Sequence, residues 1–153
     1  MIEDVNPKKF LGQHFLIDQN ISKKIVSSVS LEEFDKIVEI GPGKGALTKY
    51  LFEFSDKLIL IEYDAESVEF IKNSYKKYNP NIIKQDFLKY NLKDVLSQTS
   101  KNLILGNFPY NISSQIIFKV LDNYSIVNNL IGMFQKEVAE RIISKTNSKE
   151  YGI

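Results

Sequence analysis

The chain has 153 residues, 43% of them hydrophobic, with 10 Phe, 8 Tyr, one His, no Cys and a formal net charge of +1; that supplies one core in one domain. Without Cys there are no disulfides, no thiolate catalysis and no cysteine-ligated zinc, and a single His argues against an imidazole metal site, so no metal is expected. No apolar run nears the ~18 residues of a membrane span, the acidic opening MIEDVNPKKF lacks the basic start of a secretion signal, and the balanced charge gives no global sign of nucleic-acid binding, so a cytoplasmic chain with no membrane partner is expected.

In chain order, Asp18 is placed to cap a helix running to Val29, with Ile21, Ile25, Val26 and Val29 on one face. Ile37–Ile40 reads as a buried strand, and Gly41-Pro-Gly43-Lys-Gly45-Ala46 turns it into a helix carrying Leu47 and Leu51. A strand at Leu58–Ile61 precedes a helix face of Val68, Ile71 and Tyr75, and Asn81–Ile83 forms a short third strand. Asn102–Gly106 is the fourth, followed by a helix over Ser113–Leu121, a fifth strand at Leu130–Phe134 and a helix over Lys136–Ser144. This alternation predicts an α/β fold with a mainly parallel sheet between helical layers, forming one domain over residues 1–153. The chain stops at SKEYGI with no strand after its last helix, and a domain truncated before its last strands is expected.

Four stretches carry chemistry. The glycines of VEIGPGKGALTKYL allow a tight turn and close approach of a ligand to the backbone, and the following helix offers unpaired N–H groups. The same spacing fits a dinucleotide fingerprint, so a nicotinamide-dependent oxidoreductase stays open on this motif. Glu62, in LILIEYD, lies 21 residues after Gly41 at the end of the next strand, where a carboxylate accepts ribose hydroxyls. Asp86, after the third strand, is placed to accept an adenine amino group, with Phe87 over a ring face.

The fourth stretch, LGNFPYNISS at 105–114, places Asn107, Phe108, Pro109 and Tyr110 at the carboxyl end of a strand. An exocyclic amine on an aromatic base is a poor nucleophile because its lone pair is delocalised into the ring. Acceptors holding both N–H groups favour the pyramidal form, and the Asn107 side chain with the Phe108 and Pro109 carbonyls offers them. Tyr110 gives a π-face for an unstacked base. No metal, thiolate or general base is needed.

GQHFL at 12–16, EIGPGKGALT at 39–48, IEYD at 61–64, GNFPYNIS at 106–113 and QKEVAERI at 135–142, in this order, resemble the ribosomal RNA adenine dimethyltransferases. The resemblance implies a Rossmann-like three-layer methyltransferase domain using S-adenosylmethionine. It places His14, Leu16, Gly41, Gly43, Glu62, Asp86 and Asn107 around the cofactor, and Asn107, Phe108, Pro109 and Tyr110 at the target adenine. It further implies dimethylation of adenines in small-subunit (16S) ribosomal RNA during ribosome maturation, by a monomer, with immature small subunits as partner. Pro42 and Ala46-Leu47-Thr48 resemble this maturation branch rather than the large-subunit (23S) methylases of antibiotic resistance, which remain the alternative, together with a ribosome-assembly RNA-binding module whose catalysis is vestigial. The family's helical carboxyl-terminal RNA-engaging domain has no counterpart within the 153 residues. Two departures stand out: His14 where the family usually has Asn, expected to alter the pocket's pH response, and Phe108 where it has Leu or Ile, expected to narrow the adenine slot.

Overall fold

The computed structural model describes residues 16–145. Five parallel strands, β1 (Lys36–Ile40), β2 (Leu58–Glu62), β3 (Ile82–Lys84), β4 (Asn102–Asn107) and β5 (Asn129–Met133), form one sheet in the order β3-β2-β1-β4-β5. Five α-helices accompany them: α1 (Gln19–Val26), α2 (Thr48–Leu51), α3 (Ala65–Ser74), α4 (Ser113–Asp122) and α5 (Lys136–Ile143).

Alternation along the strands creates the layers, because successive side chains leave opposite faces of a pleated sheet. Val38, Ile40, Ile59, Ile61 and Ile104 join Phe87, Leu92 and Ile116 of α4 in one core, whereas Ile37, Leu58, Leu60, Leu103 and Leu105 join Leu47, Leu51 and Ile71 in the other. Both faces of the sheet are therefore covered, which is why the strands read as continuous apolar runs. Among the described residues no helix is long and apolar enough to cross a membrane.

The strands match the expected ones, with β3 and β5 each shifted by one residue. The helices differ more. The Asp18 carboxylate caps α1 by accepting the Asn20 and Ile21 N–H groups, but the helix ends at Val26 instead of continuing to Val29. Ser27 and Ser28 turn their hydroxyls onto the Lys24 and Ile25 carbonyls, competing with helix propagation. Ile25, Val26 and Val29 still pack on the core, while Ile21 is exposed. After the glycines the chain runs through turns to Leu47, and α2 is a four-residue helix rather than one starting at the loop. On α5 Lys136 and Glu140 form an i, i+4 ion pair at 3.6 Å.

Candidate functional site

The order β3-β2-β1-β4-β5 reverses between β1 and β4, and loops leaving the carboxyl ends of parallel strands diverge at such a point. Here the divergence opens a cavity of about 620 Å³, within the usual range for small-molecule sites. Its walls include the 41–47 loop after β1, Glu62 and Tyr63 at the end of β2, Asn107, Phe108 and Pro109 at the end of β4, and Tyr75 just after α3. Leu16, Ile17, Gln19 and Ser22 line it from the α1 side.

Glu62 organises these walls. It is 5% exposed; one carboxylate oxygen accepts the Gly43 N–H at 3.1 Å and the other accepts the Asp64 N–H at 2.8 Å. Burial raises its pKa, and these two N–H bonds oppose the rise. Glu62 lines a cavity wide enough for a hydroxylated ligand, and a carboxylate has up to four acceptor positions in all. Asp64, two residues on, is committed elsewhere: its carboxylate caps α3 through the Ser67 N–H and hydroxyl.

Glu39 was not anticipated. Its sequence signal is a lone charge inside the buried run IVEI. It lines the cavity and is 1% exposed, and burial pushes its carboxyl up to about 8, with Thr48 opposing the shift and the Glu62 charge adding to it. Glu39 Oε2 is buried without a hydrogen-bond partner, so a buried acceptor borders the cavity.

Tyr75 was expected only as part of a core-facing stripe, and it too borders the cavity. Burial, then the Glu39 charge, raises its pKa. Its hydroxyl lies 3.5 Å from the Lys44 carbonyl, and its ring fills the space beside Gly45, where an added Cβ would meet ring carbon Cε2 at 2.7 Å. Gly45 also sits at φ +80°, a region that costs an L-residue about 1–2 kcal/mol. Gly45→Ala is therefore expected to destabilise the chain by at least that amount and to weaken ligand binding by displacing Tyr75, as denaturant melts and calorimetry will show.

Of the residues expected from sequence, the structure brings Leu16, Gly41, Gly43, Glu62, Asn107, Phe108 and Pro109 to one cavity. His14 lies outside the described residues. Asp86 is not on the cavity wall; its carboxylate accepts the Leu88 N–H at 2.9 Å, and its carbonyl accepts the Lys89 and Tyr90 N–H groups, so it closes a turn. Phe87 is not available to cover a ligand ring, being 4% exposed in the core with Lys119 Nζ 5.6 Å from its centroid. Tyr110 is 40% exposed and stands beyond the cavity wall rather than on it. Phe108 is 1% exposed, and its ring packs against Phe134 with centroids 4.9 Å apart. Glu62 and Asn107 end strands that are not neighbours, because β1 runs between β2 and β4. No cluster of three or more metal-capable side chains occurs among the described residues.

The chain as a whole is similar to known proteins. The chain is 51% identical over 152 residues to the ribosomal RNA small subunit methyltransferase A of Flavobacterium johnsoniae, covering 99% of this chain and 58% of that protein. It is 46% identical to the protein of the same name from Bacteroides fragilis, covering 97% of this chain and 54% of that one. It thus spans a little over half the length of these curated relatives. Among solved structures, a dimethyladenosine transferase from Plasmodium falciparum superposes with a TM-score of 0.76 at 30% identity, covering 91% of this chain and 50% of the other. The 23S rRNA methyltransferase ErmE shares the fold at 22% identity with a TM-score of 0.72. The sequence model of ribosomal RNA adenine dimethylase matches residues 5–153, so every residue described as lining the cavity lies inside the match, and the chain belongs to the ribosomal RNA adenine dimethylase family.

Proposed function

We propose that this chain binds S-adenosylmethionine and is the catalytic portion of a cytoplasmic, monomeric enzyme that dimethylates adenine amino groups in small-subunit ribosomal RNA during ribosome maturation. The observation that carries the reading is the placement of Asn107 and Phe108 at the end of β4, on the same cavity as the Glu62-held loop. S-adenosylmethionine supplies an electrophilic methyl group.

The residues fit such a ligand. Glu62 has acceptor capacity for ribose hydroxyls, the Gly41–Gly45 loop lets a chain lie against backbone, and the unsatisfied Glu39 oxygen suits the cationic methionine end. Asp86, past the end of β3 beside β2, would lie toward the adenine end. At the reacting end, the Asn107 side-chain oxygen and the Phe108 carbonyl hold the target N–H groups and leave the amine lone pair directed at the methyl carbon. The Pro109 carbonyl already receives the Ile112 N–H at 3.2 Å, so it contributes less than the sequence implied. Held in this way, the amine would accept the methyl group that bound S-adenosylmethionine supplies as its sulfonium becomes a neutral thioether, and would release its proton to solvent. Tyr110, exposed beside this point, offers its ring to the unstacked base.

The small-subunit substrate follows the names of the curated relatives, and the large-subunit alternative is not favoured at 44–51% identity to them. In a thermal-shift titration, S-adenosylmethionine and its demethylated product should raise the melting temperature while NAD does not. With labelled S-adenosylmethionine, the full-length protein should label immature small subunits and not large ones. Asn107→Ala should lower that transfer about 100-fold or more, with a smaller loss of cofactor affinity. Stabilisation by NAD alone, or labelling of large-subunit RNA, would overturn the assignment.

A further inference from the structure

Gly106 of β4 and Gly132 of β5 are paired in register. Phe108 lies two residues beyond Gly106 on the same face, and its ring folds back over both glycines. A Cβ at Gly106 would stand 2.8 Å from ring carbon Cε1; one at Gly132 would overlap Cε2 and stand 2.8 Å from Cζ. Phe134 closes the far side of the ring. Two facing positions without side chains therefore form a socket in the sheet, and one phenyl ring fills it. The Phe108 N–H also donates to the Met133 carbonyl at 3.3 Å, tying the start of the turn to β5 beside the socket.

This arrangement bears on the site because the ring and the reacting acceptors belong to adjacent atoms of one short turn. Asn107 and the Phe108 carbonyl border the cavity, and a ring locked in a close-packed interior leaves its own backbone little freedom. We infer that Gly132 is a positioning residue for methyl transfer: by leaving room for the Phe108 ring, it holds the Asn107–Pro109 turn at the cavity. Gly132 itself does not line the cavity. The inference rests on the proposed function for its catalytic readout, though the socket itself does not.

A double-mutant comparison separates the ring contact from the rest. Gly132→Ala also brings a Cβ to 2.5 Å from the Gly106 carbonyl, a backbone cost that no change at 108 relieves. Phe108→Leu removes the ring atoms that would overlap, so only the ring part of the damage should be rescued. Small displacements at a reacting centre are costly, so Gly132→Ala is expected to lower transfer about 10- to 100-fold with the calorimetric Kd for S-adenosylhomocysteine changed less than about threefold. Phe108→Leu alone should lower transfer several-fold, and the double variant should exceed Gly132→Ala.

Side-chain amide signals of Asn107 in the 153-residue chain give a second readout: shifted or broadened in each single variant, and returning toward the parent position in the double variant. If Gly132→Ala does not fold, Phe108→Leu alone decides, since unchanged transfer and an unmoved Asn107 signal would overturn the inference. Additive effects of the two substitutions, or losses confined to thermal stability, would overturn it as well. Absence of transfer by the unmodified protein would instead count against the proposed function, leaving the Asn107 signals to judge the socket.

Discussion

Replacing Glu62 with Ala is expected to weaken S-adenosylmethionine binding by about 1.5–3 kcal/mol, roughly 10- to 100-fold in Kd, because a charged acceptor is lost at a buried site. The structure adds a second consequence. The same carboxylate receives the Gly43 and Asp64 N–H groups, so its removal also leaves two backbone donors without their partner and frees the glycine loop. Thermal stability should therefore fall together with affinity. Glu62→Gln should show an intermediate loss, since one amide oxygen can serve only one of the two donors and the NH₂ group faces the other. Calorimetry on the 153-residue chain tests this directly, and an affinity unchanged in Glu62→Ala would remove Glu62 from the cofactor site.

Glu39→Gln should have the opposite effect on stability, and the effect should depend on pH. The folded chain holds the Glu39 carboxyl at about 8, against 4.5 for an ordinary Glu, so the folded state binds this proton more tightly than the unfolded state. The stabilising contribution is fully present below pH 4.5 and is lost as pH rises toward about 8. Glutamine carries no such dependence. The variant should match the parent near pH 4.5 and gain on it progressively, by on the order of a few kcal/mol above pH 8. Urea melts between pH 5 and 9 measure the difference, and a pH-independent gap would show that Glu39 is ionised throughout. Because Glu39 also offers the cavity its unsatisfied oxygen, the stabilised variant should bind S-adenosylmethionine less tightly than the parent.

Stability and function thus pull apart at one residue. A glutamine would suit the empty fold better, yet the chain keeps a buried carboxyl beside Glu62, at the wall where a cationic ligand is proposed to sit. Strained or desolvated groups gather at sites where a ligand supplies the missing partner.

Strand positions were legible in the sequence because both faces of this sheet are covered, and full burial demands continuous apolar runs such as LILI in β2 and LIL in β4. The Gly41–Gly45 turn, Glu62 and Asn107–Pro109 were legible for a related reason: each sits where a buried run ends, and parallel strands bring their carboxyl ends to one edge whatever their order. Strand order was not legible. That β1 separates β2 from β4 depends on which strand edges pair, and no local pattern encodes pairing.

The remaining differences lie where a side chain's partner is remote in sequence. Asp86 reads from sequence as an adenine acceptor, and the fold also gives its carboxylate the Leu88 N–H, in a turn where Lys119 of α4 reaches the Leu88 and Tyr90 carbonyls at 3.0 and 2.7 Å. Glu39 looked like one more motif letter until Thr48 and the sheet enclosed it and removed its water. Phe108 reads from sequence as narrowing the base slot, and the fold adds Gly132, 24 residues away, which supplies the space for its ring. The sequence by itself determined the element types, the strand ends and the residues that could do the chemistry, since periodicity, glycine placement and side-chain type are local properties of the chain. Only the tertiary structure decided which of those residues face the cavity, which are spent holding the backbone, and which carboxyl is desolvated, because burial and hydrogen bonding depend on neighbours that packing alone brings together.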